Sequence, residues 1–136
     1  MDFLSLLIEV EKLLQKPLIV VVGVCASGKT TLAEGLRHLG FNVRSFAQEH
    51  SVSGRMWQRL KPDFLIVLNC QFDTIQQRKN ISWGPKRYAM QQKLLENARE
   101  NADLVVQTDD MAPEELIFFV YEQLCNSDFG FNELIE

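Results

Sequence analysis

Long apolar runs are missing from this chain. No stretch approaches the roughly 20 residues that cross a bilayer, so no membrane span is expected. Cysteine is scarce, and Cys25, Cys70 and Cys125 are an odd number at spacings that suit no metal. A reducing compartment is the simplest setting for them. Basic excess is absent too. The formal net charge is −4, which gives no reason to expect nucleic acid as a partner. The first residues carry Asp2, Glu9 and Glu11 without a basic start, unlike a secretory signal. The expectation is a cytoplasmic protein. Repeats, linkers and low-complexity segments are also missing, and 136 residues with 46% hydrophobic content suit one domain over residues 1–136.

What is present is concentrated early. Leu18 to Val22 are apolar without alternation, which is how a parallel strand buried on both faces reads. Gly23-Val24-Cys25-Ala26-Ser27-Gly28-Lys29-Thr30 follows and matches G-x-x-x-x-G-K-[ST] in full, with a helical pattern from Lys29. Strand, loop and helix together are the context that gives this motif meaning. Its backbone N–H groups hold phosphate charge with dipoles at a helix N-terminus. Gly23 and Gly28 let the main chain wrap closely. Cys25, Ala26, Ser27 and Thr31 line the same turn. Lys29 reaches the β- and γ-phosphates, and the Thr30 hydroxyl is placed to ligate Mg²⁺. The sequence thus predicts a nucleoside triphosphate with Mg²⁺. Lys29 is expected to face solvent, so that its replacement would spare the fold. Cys25 is read as a small residue that fits the loop.

The rest of the chain alternates helix and strand. Residues 2–15 carry Phe3, Leu6, Leu7, Val10, Leu13 and Leu14 at helical spacing, with Asp2 as cap. That stripe is expected to pack across the sheet or between two copies in a homodimer. A helix after the loop ends at Gly40, and a second strand runs over 41–46. Gln48, Glu49 and His50 then emerge at a strand's carboxyl end, where open α/β sheets bind ligands. A short helix over 52–60 stops at Pro62. A strand covers 63–70, and a helix of about 72–80 carries an Asp73–Gln76 capping box. One long helix is expected over 86–101, then a strand over 103–107. The last helix has Pro113 in its first turn. The tail, 126–136, reads as irregular, with Phe129 and Phe131 pinning it to the body. Four such strands imply a three-layer α/β/α sandwich with a short parallel sheet, its first strand central.

The motif at 23–30, the strand Leu65-Ile66-Val67-Leu68 followed by Arg78, and Ala102-Asp103-Leu104-Val105-Val106-Gln107-Thr108 followed by Pro113-Glu114-Glu115 resemble the small P-loop kinases. That group contains shikimate, gluconate, adenylylsulfate and nucleoside monophosphate kinases, and the resemblance covers residues 18–125. It implies a P-loop NTPase fold, ATP with Mg²⁺, a small-molecule acceptor, and lid arginines on the phosphates, here Arg78 and Arg87. Charge is consistent with such a lid. From Thr74 to Leu95 there is no Asp or Glu, yet Arg78, Lys79, Lys86, Arg87 and Lys93 give +5, leaving −9 elsewhere. The same charges also suit a plain solvated helix face.

Two features depart from those kinases. About 20 residues separate the second strand from the third, where the group carries an acceptor-binding insertion. The third strand ends in Asn69 rather than a metal-supporting acid. Glu49 is read as holding a Mg²⁺-bound water in place of that acid, or, like His50, as activating an acceptor hydroxyl. The alternative is that Gln48-Glu49-His50 only begins the next helix. Two functions follow from this reading. One is transfer of the ATP γ-phosphate to a small acceptor, carried by Lys29, Glu49, His50 and Arg78. The other is slow hydrolysis or nucleotide sensing for a protein partner. Guanine selectivity is disfavoured, since no N-K-x-D stretch occurs.

Overall fold

Ile19 to Val22 have no exposed surface at all, and their place in the sheet explains the unbroken apolar run. The computed structural model describes residues 2–14 and 16–127. Four parallel strands lie in the order β2-β1-β3-β4: β1 Leu18–Gly23, β2 Asn42–Ser45, β3 Phe64–Asn69 and β4 Leu104–Gln107. β1 is internal, as expected, with Ile19 opposite Val43 on one side and Phe64 on the other. The helices are α1 Phe3–Leu14, α2 Lys29–His38, α3 Phe72–Arg78, α4 Pro85–Leu94, α5 Glu96–Asn101 and α6 Pro113–Cys125.

Alternate residues of each inner strand serve opposite faces. Ile19, Val21, Ile66 and Leu68 pack against Leu32 and Leu36 of α2 and Val120 and Leu124 of α6. Val20, Val22, Leu65 and Val67 pack against Trp57, Ile75 of α3, Leu95 and Ala98 of α5. Each such side chain contributes about 1.5–3 kcal/mol over leaving it exposed. A charge at Val21 would forfeit that and bury an unpaired ion. The strand starts are pinned by carboxylates: Leu18 N–H donates to Asp63 Oδ2 at 2.7 Å, and Leu65 N–H to Asp103 Oδ2 at 2.8 Å. This is the expected α/β sandwich of the P-loop NTPase type, with helices on both sides of the sheet.

Four local expectations fail. The helix expected over 86–101 is two helices meeting at Leu95. Gln48 Nε2 donates to Leu94 O at 3.1 Å, drawing that carbonyl out of the helical ladder. The helix expected over 52–60 is a 3-10 turn, Met56–Leu60, ended by Lys61 at φ 49°. The Asp73–Gln76 capping box does not form at α3. Asp109, from beyond β4, accepts instead from Gln71 N–H at 2.8 Å and from the Thr74 hydroxyl. Finally, Asp2 does cap α1, accepting from Ser5 N–H at 2.7 Å, but of the two packings expected for the stripe, the one across the sheet does not form. Phe3, Leu6 and Leu7 stay 76%, 50% and 45% exposed. Residues 128–136, with Phe129 and Phe131, lie outside the described residues. No described helix is long and apolar enough to cross a membrane.

Candidate nucleotide-binding site

β1 delivers its chain end to a turn that α2 opens, and the geometry there demands the motif's residues. A Cβ on Gly23 would stand 2.4 Å from Leu68 O and 2.7 Å from Ser27 Oγ, so no larger residue fits. Gly28 has φ 108°, a conformation that L side chains rarely adopt. Ala26 is also left-handed, at φ 59°. The turn closes on itself through Ser27 N–H to Val24 O at 3.2 Å, leaving the first N–H groups of the ten-residue helix α2 at its mouth.

A cleft of about 550 Å³ opens on this turn. Ala26 to Thr31 form its floor; Arg78 and Lys79 form one wall, and Thr108, Met111, Pro113 and Leu116 the other. Lys29, Arg78 and Lys79 bring positive charge, and among the described residues no acid lines the cleft. Thr30 is exposed there. One hydroxyl at the cleft floor suits a Mg²⁺ ion that takes its remaining ligands from phosphate and water, which is how this ion commonly binds. Among the described residues no three acids, cysteines or histidines gather as a metal cage.

Glu49 is 4% exposed and forms an ion pair with Lys29. The same ammonium donates to Gly23 O at 2.9 Å and Val24 O at 3.2 Å. Lys29 is therefore not solvent-facing, its side chain being 14% exposed. Gln48 to His50 form a 3-10 turn, so the stretch both starts a helical turn and puts one carboxylate on the phosphate loop. Gln48 is fully buried and structural: it accepts from Trp57 N–H at 2.8 Å and donates to Ser53 O at 2.8 Å. His50 is exposed and outside the cleft wall.

Arg78 reaches the loop, yet its donors point at backbone and at the Thr108 hydroxyl, 3.2 Å from Nη1. Nη1 donates to Ala26 O at 3.0 Å, and Nη2 to Thr108 O and to Asp109 O at 3.3 Å. It ties the phosphate loop to the turn after β4. Arg87 is exposed on α4 and lines no part of the cleft, and Lys93 lines a separate groove beside Ser51 to Arg55. Lys79 Nζ lies 3.9 Å from Cys25 Sγ. The charged segment from Thr74 to Leu95 is thus divided between a cleft wall and a solvated face.

Three residues escaped the sequence. Thr108, 1% exposed, donates to Ser27 O at 2.8 Å. Asp109 holds α3. Gln91, 1% exposed, accepts from Cys25 N–H at 3.0 Å. Thr108 and Asp109 follow a strand's carboxyl end, the one signal that pointed to them. Gln91 has no such signal, being one of two adjacent glutamines in a basic helix.

With that geometry in hand, the family comparison is direct. The model of a family described as an AAA domain matches residues 19–116, well over half of the chain. The chain belongs to that family. Comparison with curated proteins gives no match. This AAA domain is a nucleotide-binding P-loop protein, as its motif and fold led one to expect, and the match does not single out the kinase subgroup.

Proposed function

We propose that this AAA domain binds Mg-ATP in the cleft and moves the γ-phosphate to a hydroxyl of a small acceptor. One observation carries the reading: the buried Glu49 carboxylate sits on Lys29, the residue whose ammonium meets the terminal phosphates in this motif. A carboxylate there can take the proton of an attacking hydroxyl. The loop amides and Lys29 hold the phosphates. Thr30 holds Mg²⁺, which neutralises charge on the phosphate oxygens when bound. Arg78 keeps the loop aligned with the far wall, where Met111 and Pro113 offer an apolar rest for the base. His50 and Arg87, both exposed, would join only after a rearrangement.

A second reading is slow hydrolysis or nucleotide sensing. The chain between Ser45 and Phe64 favours it, since it contains only two 3-10 turns, with no room for a separate acceptor-binding lobe. Incubation with Mg-ATP and a metabolite panel distinguishes the two. ADP release that rises sharply with one acceptor supports transfer. Release of ADP at one rate with every acceptor supports hydrolysis.

A further inference from the structure

We infer that Gln91 is the residue by which this site tells a nucleoside triphosphate from a diphosphate; the inference rests on the nucleotide reading above. The open cleft begins at Ala26 and runs to Thr31. Gly23, Val24 and Cys25 are not part of its floor. Yet the Lys29 ammonium, which the motif places between β- and γ-phosphates, is folded back onto the carbonyls of Gly23 and Val24. The terminal phosphate therefore belongs at the closed end of the loop, and the base at the open end.

Two side chains close that end, and each is left incomplete. Gln91 Oε1 occupies Cys25 N–H, an amide the terminal phosphate would need, while its buried Nε2 has no partner among the described residues. Glu49 Oε2 holds Lys29, while its buried Oε1 also has none. The Ser27 hydroxyl, within 2.7 Å of the space over Gly23, is a third unpaired buried group. Buried polar atoms are nearly always satisfied, so three at one end of one loop point to a missing ligand. The two closing elements are tied to each other, because Gln48, next to Glu49, donates to Leu94 O, three residues after Gln91.

A carboxamide presents an acceptor on one side and donors on the other. Without a terminal phosphate, Gln91 turns its acceptor to Cys25 N–H. With one, Cys25 N–H passes to a phosphate oxygen, and half a turn of the carboxamide brings the Nε2 donor to the same anion. A diphosphate stops short of Cys25 and leaves Gln91 where it is. Gln91 thus adds affinity for the triphosphate alone, and α4 changes its hold on the loop as it does so.

The test is calorimetric titration of the parent protein, Gln91→Leu and Gln91→Glu with Mg-ATP and Mg-ADP, alongside thermal melts. Glutamate keeps an acceptor for Cys25 N–H but cannot donate to an anion. Both variants should keep ADP affinity within about twofold and lose about tenfold or more in ATP affinity, the effect of one hydrogen bond to a charged group. A parent that binds both nucleotides, with variants whose ATP-to-ADP ratio stays within twofold, overturns this inference alone. A parent that binds neither overturns the nucleotide reading and this inference with it.

Discussion

The ammonium of Lys29 lies between the carboxylate of Glu49 and the carbonyls of Gly23 and Val24. A phosphate that reaches Lys29 must share it with Glu49, so in the proposed transfer reaction binding and catalysis would pull on the same carboxylate. Glu49→Gln separates them. With the competing charge removed, ATP affinity should hold or improve within about threefold, while turnover falls about 100-fold or more, as expected when a general base is lost. Steady-state kinetics beside calorimetry read both. Unchanged turnover would rule out Glu49 as the base.

Arg78 behaves as a staple. Its guanidinium donates to carbonyls on both sides of the cleft, and removing it leaves those carbonyls short of donors. Arg78→Ala should cost about 1–2 kcal/mol in denaturant unfolding, the scale of hydrogen bonds from a charged group that remains partly exposed. It should also weaken ATP and ADP alike. Arg78→Lys should recover less than half of the loss, because an ammonium lacks the guanidinium fork. A variant as stable as the parent but dead in turnover would instead mark Arg78 as a catalytic arginine.

Much of the fold was legible in the sequence, and the misses share a cause. Ile19 to Val22 and Phe64 to Leu68 announced buried parallel strands, because a strand covered on both faces cannot alternate. The phosphate loop was legible because its steric demands at Gly23 and Gly28 fix residue types. The break at Leu95, the cap from Asp109 and the hold of Gln91 on Cys25 N–H were not. Each is a hydrogen bond between residues 38 to 66 positions apart, and local pattern does not contain it. That α1 does not dock across the sheet was hidden for a related reason. Periodicity reports an apolar stripe, and says nothing of whether a sheet face is still free to receive it.

Asp109 gives the structure a pH signature. Burial alone would raise its carboxyl, but hydrogen bonds from Thr74, the Gln71 amide and Gln107 outweigh that and hold it below its ordinary 3.8. A carboxyl lowered by folding stabilises the native state above its unfolded value, and the gain is lost as pH falls through the folded one. Asp109→Asn should therefore melt below the parent at neutral pH, with the gap closing once pH drops below 3.8. A gap that stays constant down to pH 2 would mean that the ionised form is not what holds α3.

The cysteines should differ in reactivity. Burial pushes the Cys70 thiol up to about 11, so the thiolate that alkylating reagents need is scarce at pH 8. Cys70 should react only when the chain unfolds. Cys25 is half-buried on the phosphate loop, and Mg-ATP should slow its alkylation by about tenfold at saturation, by mass action on the open form. Mass spectrometry of labelled peptides follows both. Equal labelling of Cys25 with and without nucleotide would place the nucleotide elsewhere.

On the proposed reading, the loop from Gly23 to Thr30 grips the terminal phosphates of a nucleoside triphosphate through Lys29. Replacing Lys29 alone would strand the buried Glu49 charge and unsettle the fold. The decisive measurement is therefore calorimetric titration of Mg-ATP into the double variant Lys29→Met, Glu49→Gln, with circular dichroism to verify its fold. The double variant should fold, and its ATP affinity should fall at least about tenfold, the loss of one charge-assisted contact to phosphate. Affinity equal to the parent's in a folded double variant would contradict that reading.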